Sequence, residues 1–220
     1  MKYLKVIENE REGKYLGKTV QVVPHITEEI KRRIHIAGED SDLLIGEIGG
    51  TVGDIESLPF MESIRQFSHD VGVENVLFIH LVLIPYLDAA GELKSKPAQH
   101  SVKELRSIGL FPNIIICRAD RDIDQDILDK ISLFCNVPKN NVFKSIDLDS
   151  IYKVPLEFHK QGLDAKVAEL LNIWATEPKI EDLKQVVYNV ENPKETVKIG
   201  IVGKYTDLIE SYKSLDEALR

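Results

Sequence analysis

A chain of 220 residues, 43% hydrophobic and 29% charged, can bury the core of one domain and part of a second. Its net charge of -8 argues against broad binding to a nucleic-acid backbone, but leaves room for a small anion held by local basic residues. No apolar run approaches the roughly 20 residues that span a bilayer, and the charged opening "MKYLKVIENEREGK" does not have the form of a signal peptide, so a soluble cytoplasmic protein with neither membrane nor nucleic-acid partners is expected.

The chain starts on a charged segment, without the strand that would normally open an α/β sheet. In "PHITEEIKRRIHIAGE" Thr27 is a candidate N-cap for a helix that leads into the apolar run "DLLIGEI" at 42 to 48, read as the first buried strand. "SLPFMESIRQFSHDVG" then places Leu58, Met61, Ile64 and Phe67 on one helical stripe. Three more strands are expected in "NVLFIHLVLIPYL" at 75 to 87, "NIIICRA" at 113 to 119 and "NVFKSID" at 141 to 147. Between the last two, "DQDILDKISLFCNV" repeats the helical stripe with Ile127, Ile131 and Phe134. The alternation predicts an α/β fold: a mainly parallel sheet with helices on both faces and ligand loops near the carboxyl ends of its strands. The texture changes past Trp174, which gives a domain over 1–174 and a linker over 175–196 with one amphipathic helix. Residues 197–220 bring a further strand, "VKIGIVGKYTD", and a helix, "LIESYKSLDEALR". A lone pair of this kind cannot bury both its faces, so it reads as the truncated start of a second domain.

The stretch "GEIGGTVGDIES" at 46 to 57 packs three acids and four glycines directly after an apolar run. Glu47 falls at the expected strand end, where open α/β sheets bind ligands, and Gly49, Gly50 and Gly53 allow a tight turn and a close backbone approach. An acid there needs a cation or donors, and one or two carboxylates plus phosphate oxygens is the usual way Mg²⁺ is held. Asp54, near a helix start, is explained equally well as a cap or first-turn acid. "KSKPAQ" at 94 to 99 is either a solvated basic loop or an anion site.

Other signals are weaker. "GKYLGKT" at 13 to 19 ends like a phosphate-binding loop, but it is one residue short and "KVIENERE" before it is no buried strand. His25 and His100 have no partner at metal-ligand spacing, which favours hydrogen-bonded structural histidines. Cys117 and Cys135 have neither disulfide nor zinc spacing and no glycine-flanked elbow, so they read as buried thiols and not nucleophiles.

Taken together, "EIGGTVGDIESLPFMESIRQF" resembles the signature of the synthetase (amidoligase) domain of the CTP synthase family. The segments "YLGKTVQVVPHIT", "GELKSKPAQHSVKELRSIGLFPNIIICR", "KISLFCNVP", "DSIYKVP" and "VGKYTDLIESYKSLDEAL" follow in the family's order, so the resemblance covers nearly the whole chain. It implies a P-loop NTPase fold of the dethiobiotin-synthetase type, here without its N-terminal strand and phosphate loop. It further implies an enzyme that uses ATP to phosphorylate UTP and replaces that phosphate with ammonia, which a glutaminase domain releases from glutamine. By the same resemblance Glu47 binds Mg²⁺, and Asp54, Ile55 and Glu56 contact the inhibitor CTP. Lys94, Ser95, Lys96, Pro97, Ala98, Gln99 and Lys130 contact UTP or CTP, while Ile146, Asp147 and Leu148 lie on the adenine side of ATP. The family's usual threonines are replaced in the basic segment: Ser95 keeps a hydroxyl, Ala98 does not. The resemblance also implies a homotetramer with nucleotide sites between subunits. No catalytic residue is assigned. The 220-residue chain alone is expected to be inactive, and the competing reading is a non-catalytic nucleotide-binding or assembly module.

Overall fold

The structure is a computed structural model that describes residues 2–174, 176–205 and 207–219. It divides into two units, Met1–Asp147 with Phe158–Trp174, and Leu148–Glu157 with Ala175–Arg220.

The first unit opens with helices α1 (Lys2–Arg11), α2 (Thr27–Gly38) and α3 (Leu58–Val71). Val6, Ile26 and Ile30 make a small core with Tyr15, Val20, Ile34 and Phe60 packed around it. Buried Lys31 of α2 donates to Asp70 of α3 at 2.8 Å and pairs with Glu28 at 2.7 Å, so its charge is compensated where it crosses between the helices. Thr27 is not the N-cap expected from the sequence. The turn Val22–Ile26 runs straight into the helix, Ile26 holds the capping position, and the buried Thr27 hydroxyl donates back to the Pro24 carbonyl at 2.9 Å.

Glu29, on the buried side of α2, accepts from Arg32 at 2.8 Å and from Arg33 at 2.7 Å. The Arg32 hydrogen bond, opposed by burial and reinforced by Arg33, holds its carboxyl at about 2 against an ordinary 4.5. A carboxyl depressed in this way adds stability above its unfolded value, and that stability is lost as pH falls from 4.5 through about 2. Both arginines are partly solvated, so Glu29→Gln should cost only about 1 kcal/mol near neutrality, and the gap to the parent should close as pH falls below about 4.5. Urea unfolding at several pH values measures it. A gap independent of pH would assign the cost to packing.

The strands are β1 (Ile79–Leu83), β2 (Tyr86–Leu87), β3 (Glu92–Leu93), β4 (Ile114–Ala119) and β5 (Val142–Ile146). β4 lies between β1 and β5 and is parallel to both, with Ile79 opposite Ile114 and Ile115 opposite Val142. β2 and β3 form a separate antiparallel hairpin. Period-two alternation sends Ile115, Cys117 and Ala119 to one face, against Val102 of α4 (Lys96–Ser107) and Leu128, Ile131 and Cys135 of α5 (Gln125–Cys135). Ile114, Ile116 and Phe143 face the other way, against Phe158 of α6 (Val154–Lys160) and Leu163 and Val167 of α7 (Leu163–Leu170). Helices on both faces are the physical reason that "IIIC" is apolar at consecutive positions. Asn113 locks the strand starts, accepting at Oδ1 from Phe78 N–H and at its carbonyl from Asn141 Nδ2.

Two expected strands are absent. Residues 42–48 form no strand, and Ile45 is 87% exposed, with only Ile48 packed on neighbouring apolar groups. A short apolar run signals burial but supplies no ladder partner, and β1, at the sheet edge, pairs on one side only. Along β1, Ile79, Leu81 and Leu83 are exposed. The long run at 75 to 87 is also shorter as a strand: a single turn at Val73–Asn75 precedes it, and Pro85, which has no N–H for the ladder, divides β1 from the hairpin.

In the second unit α8 (Glu181–Glu191) forms in the linker region and α9 (Lys213–Ala218) near the end. Lys153 pairs with Asp149 at 2.9 Å and Glu191 at 2.5 Å, and Tyr152 Oη donates to the Glu217 carbonyl. The expected strand in "VKIGIVGKYTD" does not form among the described residues. Val202 is fully exposed at 100%, with no neighbouring strand to pair it.

Candidate functional site

Parallel strands deliver their following loops to one end of a sheet, and here the charged groups gather at that carboxyl end. β1 runs into Ile84 and Pro85, β4 into Asp120 and Arg121, and β5 into Asp147. Arg118 Nε donates to Asp147 Oδ1 at 2.8 Å, and Arg121 pairs with Asp120 while lying 3.4 Å above the Tyr86 ring. Leu83, Ile84, Pro85, Tyr86, Arg118, Asp120 and Asp147 line an open cavity of about 440 Å³. Of the three positions implied for the adenine side, Ile146 ends β5 and Asp147 lines this cavity, whereas Leu148 belongs to the second unit.

The basic segment is not the loop expected from the sequence. The Pro85 carbonyl accepts from Lys94 N–H, Ser95 takes the position before the helix, and Lys96 to Gln99 form the first turn of α4. Pro97 explains this, since its fixed φ suits a helix start and its missing N–H costs nothing there. Gln99 Nε2 donates to Ser95 Oγ at 3.2 Å. Ala98 is buried in the core, so only its backbone can face a ligand. Glu92 pairs with Lys94, and its carboxyl is lowered by that hydrogen bond first and also by Lys130 from α5. Lys94 and Lys130, distant in sequence, therefore act on the same carboxylate.

Glu47 is exposed in an irregular segment, not at a strand end. Gly50 and Gly53 have φ of +89° and +97°, as a tight turn requires. Asp54 Oδ1 accepts from Glu56 N–H at 3.1 Å, and its carbonyl accepts from Ser57 N–H and Oγ, so Asp54 fixes the turn before α3. Ile48 and Val52 anchor the loop on Met61 and Leu105, and Gly53 abuts Glu104, about 12 Å along α4 from Lys96. No hydrogen bond or ion pair joins Glu47, Asp54 or Glu56 to Lys94, Lys96 or Lys130 among the described residues.

No group of three or more His, Cys, Asp or Glu able to hold a metal occurs among the described residues. Glu47 has no ion pair among the described residues and could be one carboxylate of a shared, phosphate-dependent Mg²⁺ site. "GKYLGKT" follows helix α1 in a series of turns, so it has no strand before it. His25 is structural: Nδ1 accepts from Gln21 N–H, and the ring meets Tyr15 edge-on at 4.8 Å. His100 differs, being exposed on α4 without a hydrogen-bond partner among the described residues. Burial pushes the Cys117 thiol up to about 12 and Cys135 up to about 11, which keeps both protonated and unreactive.

Tyr86, Arg118, Asp120 and Arg121 were not singled out by the sequence reading. Their signal is the charged run "RADRD" directly after a continuous apolar strand.

A family model described as the CTP synthase N-terminus matches residues 2–173. The CTP synthase of Geobacter metallireducens is 57% identical over 218 residues, covering 99% of this chain and 40% of the relative. Those of Syntrophus aciditrophicus and Maridesulfovibrio salexigens are 54% and 55% identical over 217 residues each, again with 99% and 40% coverage. The chain thus spans about two fifths of the length of these curated relatives. With three quarters and more of its residues inside the family match, the chain belongs to the CTP synthase family and corresponds to the N-terminal part of that sequence.

Proposed function

We propose that this chain is the synthetase part of an enzyme that aminates UTP to CTP at the expense of ATP, with ammonia or glutamine as nitrogen donor. The observation that carries the reading is the match to CTP synthases over 99% of the chain. The geometry supports it: Lys94, beside the hairpin after β1, and Asp147, after β5, both follow carboxyl ends of parallel strands, where α/β sheets receive nucleotides. No helix among the described residues is long and apolar enough to cross a membrane.

In this proposal Lys94, Lys96 and Lys130 hold the triphosphate of UTP, with Ser95 and Gln99 as neutral donors and the backbone of Pro97 and Ala98 lining the same turn. Arg118 and Asp147, already paired, steady the wall on the ATP side with Ile146. Asp54, Ile55 and Glu56 sense CTP. Glu47 would hold Mg²⁺ jointly with phosphate oxygens, and the metal would supply charge neutralisation for phosphoryl transfer. A glutaminase domain supplying ammonia, a homotetramer with shared sites and a cytoplasmic location complete the proposal.

The test is chromatographic detection of CTP formed by the complete protein from UTP, ATP, Mg²⁺ and ammonium, where free ammonium removes any dependence on glutamine hydrolysis. CTP appearing only when all four are present is the expected result. UTP recovered unchanged under saturating conditions would overturn the proposal.

A further inference from the structure

Beyond the lysines already discussed, α4 and α5 enclose a groove of about 270 Å³ lined by Gln99, His100, Val102, Lys103, Arg106 and Phe134. Its lining contains no carboxylate. Lys96, Lys103, Arg106 and Lys130, all on these two helices, have no ion-pair partner among the described residues, whereas nearby Lys94, Lys139, Arg118 and Arg121 each have one. In a chain of net charge -8 with 36 acidic residues, a groove whose charged lining residues, Lys103 and Arg106, are both cations without an ion-pair partner among the described residues is a local departure. Like charges placed together repel unless an anion joins them.

We infer that this groove continues the proposed UTP phosphate site as a polyphosphate channel, in which Lys103 and Arg106 hold phosphate groups alongside Lys96 and Lys130. The inference rests on the nucleotide reading of Lys94 to Gln99 and Lys130, and it adds residues that reading does not include. Positions 96, 99, 103 and 106 recur at helical spacing, forming one stripe about 15 Å long on α4. Gln99 belongs to both the implied nucleotide segment and the groove lining, so the two are continuous. On α5, Lys130 and Phe134 are one turn apart and share a face. Arg106 lies 5.6 Å from the Phe111 ring, which steadies the guanidinium while leaving its N–H groups for a phosphate. The only charged side chains in the lining are the cations Lys103 and Arg106, so phosphate groups are the fitting occupant.

Calorimetric titration of the complete protein with inorganic tripolyphosphate, and separately with UTP, tests this, using Lys103→Gln, Arg106→Gln, Lys94→Gln and Lys130→Gln, with Lys166→Gln as a control outside the groove. Lys103→Gln and Arg106→Gln should each weaken tripolyphosphate about tenfold, and their combination more. Weakening by Lys94→Gln and Lys130→Gln alone would overturn the channel and leave the nucleotide site standing. No effect from any of the four would overturn both. A changed sedimentation coefficient for Lys103→Gln or Arg106→Gln, with tripolyphosphate affinity intact, would make the groove a contact between copies and overturn the channel.

Discussion

Glu47→Gln in the complete protein should lower ATP-dependent CTP formation by about a thousandfold while moving the thermal unfolding midpoint by no more than about 1 °C. Two observations separate the effects. Glu47 is exposed and has no ion pair among the described residues, so the folded state loses no partner when the charge goes. The substitution keeps the side chain's size and one carbonyl oxygen, and what it removes is the negative charge that a hard cation needs. Phosphoryl transfer depends mostly on positioning and charge neutralisation, so a misplaced metal reaches the rate directly. Asp54→Ala is the contrasting case: Asp54 holds the Glu56 N–H in its turn and alanine has no oxygen to accept it, so this change should cost about 0.5 to 1 kcal/mol of stability. If Glu47→Gln retains full activity at limiting Mg²⁺, the metal role belongs elsewhere.

What the sequence disclosed depended on whether a pattern was sufficient in itself. β4 and β5 were legible because "NIIICRA" and "NVFKSID" are short continuous apolar runs between helical stripes, and the strands occupy Ile114–Ala119 and Val142–Ile146 within them. α3 and α5 were legible from their stripes, which do not depend on distant partners for their hydrogen bonds. "DLLIGEI" and "VKIGIVGKYTD" looked equally apolar, but a strand needs a neighbour, and no residue pattern within the segment states whether one is present. The form of the basic segment was not legible, because a proline there suits a loop as well as the helix start that Pro97 makes. At the site, resemblance assigned Lys94 and Lys130 to one ligand, and only the folded chain shows both acting on Glu92. Lys103 and Arg106 were hidden for a plainer reason: in sequence they are ordinary polar residues of an amphipathic helix, and the facing Phe134 is 31 positions past Lys103.

Ile115→Ala should destabilise the 220-residue chain by about 3 to 4 kcal/mol, a drop of roughly 10 °C in unfolding midpoint, whereas Leu81→Ala should cost less than about 1 kcal/mol. Ile115 is 0% exposed on the central strand, opposite Val142 and within the cluster built from Val82, Val102, Leu128 and Ile131. Deleting three of its carbons removes burial and leaves a cavity bounded on both sides by parallel strands, whose hydrogen-bonded backbones cannot collapse into it. Leu81 sits on the neighbouring strand opposite Ile116 but is 60% exposed, so little apolar surface returns to water when it is shortened. Both substitutions keep the strand's backbone pairing, which makes the difference between them a measure of packing alone. Chemical unfolding of the two variants, with the slope against denaturant compared to the parent, reads it. Equal losses would mean that the outer face of β1 is covered in solution. A loss below about 1 kcal/mol for Ile115→Ala would mean that β4 is not the centre of the core, and that the cavity mouth formed by Arg118 and Asp120 at its carboxyl end is not rigidly supported.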